Sequence, residues 1–191
     1  MEILINENDT LVFVIRNWLS HEVSMELCQY LRHNIKWENN GYAKRLGEGY
    51  LARRIFSLAD SLYDKEKKSF YSRSHDIRDY PCIVGLKERI EKETQVTFNT
   101  CVLNEYRDGN CSIGYHSDNE MVLNSPIIGI TLGGSRDFYL KNKKNGNRII
   151  KTHLNSGDCY VMMGSCQKQW LHSVPKVTSS EYRISLTFRY I

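Results

Sequence analysis

Thr97-Phe98-Asn99-Thr100-Cys101-Val102-Leu103-Asn104-Glu105-Tyr106 is where the chain changes character. A two-residue period runs through it and predicts a strand with Phe98, Thr100, Val102, Asn104 and Tyr106 on one face. Short apolar segments then follow to the C-terminus: Ile127 to Leu132, Arg136 to Leu140, Arg148 to Leu154, Cys159 to Met163, Leu171 to Val174 and Arg183 to Tyr190. Gly, Ser or Asn separates them, and Lys144-Asn145-Gly146-Asn147 is a hairpin signal. Many short strands with such turns predict a sandwich or barrel. Upstream, Leu11 to Ile15 reads as a further strand. Ser20 is placed to cap a helix carrying Glu22 in its first turn and Val23, Leu27, Tyr30 and Leu31 at helical spacing. A second helix fits Ile83 to Glu93, with Ile83, Leu86 and Ile90 on one face. The expected fold is therefore mainly β with flanking helices (α+β), arranged as a double-stranded β-helix or jelly roll.

The 191 residues show no repeat, low-complexity tract or linker, so one domain over 1–191 is expected. Its strand-rich core covers about 97–191, and the preceding helices and loops cover about 1–96. Hydrophobic residues make up 41% and charged residues 25%, which excludes a mostly disordered chain. The longest apolar runs are about five residues, against roughly 20 for a membrane span. Met1-Glu2-Ile3-Leu4-Ile5-Asn6-Glu7 carries acids where a signal peptide carries its basic region. An intracellular protein, nuclear or cytoplasmic, is expected, with no membrane partner and as a monomer. The six cysteines form no CxxC pair and read as reduced, mostly buried thiols.

The net charge of +4 is only mildly basic, but its distribution is uneven. Residues 41–80 hold nine basic and six acidic residues, interleaved with Tyr42, Tyr50, Phe56, Tyr63, Phe70, Tyr71 and Tyr80. Residues 136–151 hold six basic residues against one acid, Asp137. Taken alone, such runs read as a solvated surface rather than a nucleic-acid contact.

His116-Ser117-Asp118 is an H-x-D motif. On an extended segment its two ends face the same way and can converge on one ion. An H-x-[DE] is expected by accident about 0.7 times in such a composition, so the motif needs company. His172 lies 54 residues beyond Asp118, and a jelly roll brings distant strands together. Two His and one carboxylate make the facial set of non-heme Fe(II) oxygenases, which leaves coordination positions open. His21, His33, His75 and His153 have no comparable neighbours and read as surface or capping residues.

In Arg183-Ile184-Ser185-Leu186-Thr187-Phe188-Arg189, the odd positions are polar and the even ones apolar. Two arginines on one face of a core-type strand require either solvent or anions. Their planar forks suit bidentate carboxylate capture, so a dicarboxylate would satisfy both. Asn104 and Tyr106 share a face of their own strand and could add donors.

These segments resemble the AlkB family of Fe(II)/2-oxoglutarate dioxygenases, especially its nucleic-acid demethylases. The resemblance is carried by Asn104 to Gly109, Ile113 to Glu120, Ser125-Pro126-Ile127, Leu132 to Phe138, Met163 to Pro175 and Arg183 to Arg189. It implies that His116, Asp118 and His172 bind Fe(II). It further implies that Asn104, Tyr106, Arg183, Thr187 and Arg189 bind 2-oxoglutarate, and that Asn119 and Glu120 face the target base. Two positions depart from the family: Ser185 stands where Asn is usual, and Ala52-Arg53 where a Pro-Arg pair is common. By the same resemblance, Ser57 to Arg73 falls in a nucleotide-recognition lid, with Arg53, Tyr71, Tyr63 and Arg73 as substrate contacts.

The implied activity is oxidative removal of N-alkyl groups of the 1-methyladenine or 3-methylcytosine type from DNA, with RNA as an alternative. The reaction consumes O₂ and 2-oxoglutarate and releases formaldehyde, succinate and CO₂. A methyl on a Watson–Crick nitrogen is reachable only in a flipped or unpaired base. Competing readings are a 2-oxoglutarate-dependent protein hydroxylase and a non-catalytic nucleic-acid-binding module. A zinc hydrolase would have no use for the paired arginines.

Overall fold

The computed structural model describes residues 1–37, 54–63, 74–118 and 125–191. Strands β1 (Glu2–Glu7) and β2 (Thr10–Ile15) precede helix α1 (His21–Asn34). Strands β3 (Arg54–Ala59) and β4 (His75–Asp76) lead to helix α2 (Pro81–Thr94). Then come β5 (Thr100–Tyr106), β6 (Ile113–His116), β7 (Ile127–Gly133), β8 (Arg136–Asn142), β9 (Ile149–Leu154) and β10 (Cys159–Gly164). The short helix α3 (Cys166–Gln169) and strands β11 (Trp170–Val174) and β12 (Arg183–Arg189) complete the chain. An eight-stranded sheet runs β1-β2-β10-β7-β12-β5-β3-β4, and a four-stranded sheet runs β6-β11-β8-β9. This is the expected jelly roll.

Side-chain alternation decides how the layers stack. β12 pairs with β5 and β7 without a slip, so Ile184, Leu186 and Phe188 share a face with Leu103, Cys101, Ile128, Ile130 and Leu132. That face packs on Leu31 of α1 and on Ile83, Leu86 and Ile90 of α2. Each fully buried Leu, Ile or Phe contributes roughly 1.5–3 kcal/mol there. The opposite face of the large sheet meets the small one, where Val12, Val14, Ile127 and Tyr160 pack with Phe138, Leu140 and Leu154. A one-residue slip of β12 would exchange its arginines for core residues, so burial on both faces pins the register.

Three local expectations needed correction. Ser20 does cap α1, accepting from the Val23 amide at 3.2 Å, but Val23 and Tyr30 are exposed, and Ser24, Cys28 and Leu31 form the buried stripe. The helix docks on the sheet through this neighbouring stripe. Phe98 does not share a face with Asn104: it precedes β5, its amide donates to the Glu91 carboxylate at 2.7 Å, and its ring meets Phe188 on the helix side. Helix α2 begins two residues early because Pro81 fits a first helical turn, and it ends at Gln95 in the left-handed region (φ 57°). β1, an edge strand among the described residues, escaped notice because half of its residues are exposed and a register shift between Ile3 and Ile5 breaks its alternation.

All six cysteines are unpaired, and five are buried. No helix among the described residues is long and apolar enough to cross a membrane.

Candidate metal and co-substrate site

β6 and β11 are neighbours in the small sheet, and their register sets His172 opposite His116. The two rings lie 4.2 Å apart between centroids. His116 Nδ1 is 2.9 Å from the Gly114 carbonyl. A carbonyl can only accept, so Nδ1 carries the proton and Nε2 keeps its lone pair for the interior. Asp118 follows two residues later, 3.9 Å from His116 Nε2 and 3.6 Å from His172 Nε2. One ligand atom from each of the three residues fits within 4.8 Å of the others, a spacing that one ion can bridge. The Asp118 amide donates to Gln167 Oε1 at 2.9 Å, which ties the loop after β6 to α3.

Arg189 connects this cluster to the large sheet. Its Nη2 lies 3.1 Å from Asp118 Oδ2, and both side chains are about nine-tenths buried. Six residues away on the same face, Arg183 is 1% exposed. Its guanidinium lies over the Tyr106 ring at 4.9 Å and donates to Thr131 Oγ1 at 3.1 Å. Its Nε and Nη1 are buried with no hydrogen-bond partner among the described residues. A buried cation with two unmade hydrogen bonds is costly unless an anion completes it, so the pocket fits a carboxylate at this point.

The register sets the remaining lining residues. Ser185 stands between Asn104 and Thr131, and Thr187 stands between Val102 and Gly129. Tyr160 covers Gly129 so closely that a Cβ there would fall 2.0 Å from its ring. Ser185, the departure from the family pattern, sits against this tyrosine. Asn104, Tyr106, Thr187 and Arg183 are thus all buried on the inner face.

Arg136 was read as part of a basic surface run. It is instead 1% exposed and stacks on the Tyr106 ring at 5.6 Å, near Arg183. Burial first, and the Arg183 charge second, push its guanidinium below the ordinary arginine value. Its donors reach the carbonyls of Cys111 at 3.0 Å, Asp108 at 3.3 Å, and Pro175. They fasten the turn between β5 and β6 to the segment after β11. The signal was in the sequence: Arg136 shares the inward period of Phe138 and Leu140. Arg136→Ala leaves these carbonyls without their donor and is expected to cost about 3 kcal/mol, read as a lowered urea midpoint.

Glu105 was also missed as a structural residue. It is 1% exposed, accepts from Arg54 Nη2 at 2.6 Å and from the Tyr182 hydroxyl at 2.6 Å, and so joins the start of β3 to the residue before Arg183.

Tyr63 is not available for base stacking, since it is 4% exposed and packs with Ile55, Ala59, Val102 and Ile191. His75 stacks on Phe56 at 4.3 Å and His153 bonds to Asp137 at 2.8 Å, and both are exposed, as expected of surface residues. Arg53, Tyr71, Arg73, Asn119 and Glu120 lie outside the described residues.

The model of the 2OG-Fe(II) oxygenase superfamily matches residues 11–189. The alpha-ketoglutarate-dependent dioxygenase alkB homolog 3 of Rattus norvegicus is 38% identical over 122 residues, which are 58% of this chain and 41% of that protein. The DNA oxidative demethylase ALKBH2 of Bos taurus is 32% identical over 123 residues, which are 58% of this chain and 44% of that protein. The chain thus spans less than half the length of these relatives. Among solved structures, OsALKBH1 shares the fold with a TM-score of 0.64 at 16% identity, covering 93% of this chain and 97% of that one. A Pseudomonas putida prolyl-4-hydroxylase does so at 0.56 and 13%, covering 93% and 92%. By the match over residues 11–189, which contain the inward His-Asp-His cluster, the chain belongs to the 2OG-Fe(II) oxygenase superfamily.

Proposed function

We propose that this protein is an oxidative demethylase that removes N-alkyl groups of the 1-methyladenine or 3-methylcytosine type from DNA, with RNA as a second substrate. The reading is supported chiefly by the Asp118 carboxylate, set within 4 Å of two imidazoles and held by Arg189. The similarity to the DNA oxidative demethylase ALKBH2 supports a nucleic-acid substrate for such a site. His116, Asp118 and His172 would hold Fe(II). Asn104, Tyr106, Arg183, Thr187 and Arg189 would hold 2-oxoglutarate. Fe(II) and 2-oxoglutarate held there would, with O₂, supply the oxidising equivalent for hydroxylating an N-methyl group; the products would be succinate, CO₂ and, once the hydroxymethyl group is shed, formaldehyde.

The chain's own residues define the geometry of that reaction. Gly114 fixes the His116 tautomer and keeps Nε2 directed inward. Arg189 offsets the Asp118 charge and holds the carboxylate in place. Arg183, with two donors to spare, would fix the far carboxylate and hence the direction in which the keto acid lies. The apolar contacts of Phe138, Leu140 and Tyr160 behind the site keep bulk water from its rear wall. Asn119 and Glu120 follow Asp118 directly and would face the base, and an acid there suits the positive charge of a methylated ring. Arg53 and Tyr71 would contact the substrate strand. The protein would work as a monomer in the nucleus or cytoplasm, where its substrate lies.

Incubation with Fe(II), 2-oxoglutarate, O₂ and a single-stranded oligonucleotide containing 1-methyladenine is expected to yield unmodified adenine with one formaldehyde per succinate. Succinate formed without base repair on any methylated DNA or RNA would redirect the reading to a protein substrate.

A further inference from the structure

We propose that the outer face of the four-stranded sheet is a binding platform for single-stranded DNA flanking the target nucleotide. The proposal rests on the demethylase reading and adds to it a second contact area outside the pocket.

Alternation along β8 sends Phe138 and Leu140 inward and leaves Asp137, Tyr139 and Lys141 outward. β9 likewise turns Thr152 and Leu154 in and Lys151 and His153 out. Helices α1 and α2 pack on the other sheet, so neither covers this face. Two tyrosine–lysine pairs stand on it. Lys151 Nζ lies 4.9 Å from the centre of the Tyr139 ring, and Lys141 Nζ lies 5.4 Å from that of Tyr115. β6 and β8 flank β11, so the two tyrosines lie on strands about 10 Å apart, two strand spacings.

Charge complementarity identifies the occupant. Arg136 of the basic run is buried, Arg148 pairs with Glu7, and Lys143 donates to Ser117 Oγ and the Gln167 carbonyl. Lys141, Lys144 and Lys151 remain on or beside the outer face. The one acid of β8 and β9, Asp137, already accepts from His153 at 2.8 Å and from the Tyr139 hydroxyl at 3.3 Å. A polyanion therefore meets cations and a carboxylate that is already engaged. Tyrosine rings between lysines suit a strand whose base faces are open, because stacking is tolerant of sequence while the ammonium groups hold phosphates. A duplex hides those base faces and would leave the rings unused.

Continuity with the pocket sets the path. β6 is an edge strand of this sheet among the described residues, with His116 turned toward the metal cluster and its neighbour Tyr115 39% exposed on the opposite side. A strand that delivers one base to the interior crosses this edge and meets Tyr115 first, then Tyr139 and Lys151.

The test compares fluorescein-labelled single-stranded DNAs of about 5 and about 15 nucleotides, each with a central 1-methyladenine, by fluorescence anisotropy. The unaltered protein is expected to bind the longer one more tightly. The double variant Tyr139→Ala/Lys151→Glu is expected to lose about tenfold in affinity for the longer DNA, with a shallower salt dependence, and to bind the shorter DNA as before. Both side chains face outward, so its melting temperature should match that of the unaltered protein. Equal binding of the longer DNA by the two proteins overturns the platform. So does an equal loss on both lengths, tighter binding of a duplex of the same length, or a length effect seen with RNA alone. Turnover of the short DNA by the unaltered protein reports separately on the demethylase reading. If that DNA is bound and never repaired, the catalytic assignment fails while the length dependence still judges the platform.

Discussion

Asp118→Ala is expected to reduce succinate formation about a thousandfold or more and to abolish stabilisation by divalent metal. Asp118 is the one carboxylate of the cluster, placed within 4 Å of both imidazoles. Without it only the two imidazole nitrogens remain as ligands, and the Arg189 guanidinium, 3.1 Å from Asp118, would meet the incoming cation with no compensating charge. The variant thus loses an attraction and gains a repulsion. In the unaltered protein, metal at 100 times its dissociation constant should add about 2.7 kcal/mol to stability, which reads as a clear rise in melting temperature. The alanine variant should show no such rise, and Asp118→Asn should behave like it, because the shape is kept and the charge is lost. Retention of the metal-induced rise in both variants would show that these three residues do not form the binding set.

Arg183→Met carries the second large effect, and its sign differs between two measurements. Two buried guanidinium donors have no partner among the described residues, and each charge-assisted hydrogen bond to a carboxylate is worth about 1.5–3 kcal/mol. KM for 2-oxoglutarate should rise about a hundredfold or more, with kcat changed far less when the keto acid is saturating. In the absence of 2-oxoglutarate the same variant should be more stable than the parent, by about 1–3 kcal/mol, because a buried and incompletely bonded cation has been replaced by an apolar chain of similar length. A structural arginine would give the reverse: lower stability and an unchanged KM. Measuring urea midpoints with and without 2-oxoglutarate, beside initial rates, separates the two roles.

Much of this site could be read along the chain because strands carry their own geometry. The period of two in residues 183–189 was enough to put Arg183 and Arg189 on one face, and β12 keeps that alternation through both of its pairings. The same logic put Asn104 with Tyr106. It failed at Phe98, which lies outside the strand and so outside its period. In α1 the helical spacing was right but the apolar stripe was misplaced, since the small residues Ser24 and Cys28 allow close approach to the sheet. Arg136 was misread for a related reason. Charge type suggested solvent, whereas its position in the β8 alternation pointed inward, and three backbone carbonyls wait there for its donors.

By itself the sequence determined which residue types are available and which of them share a face, because backbone stereochemistry fixes alternation within a strand. Burial of both faces of residues 183–189, one apolar and one polar, then leaves a single register. Only the tertiary structure decided what meets across segments. His172 joins His116 through the pairing of β11 with β6, Asp118 meets Arg189 across two different sheets, and Glu105 links Arg54 to Tyr182. Those contacts depend on how the layers close over each other. Closure is set by the summed packing of more than a dozen side chains, so no local pattern in the chain contains it.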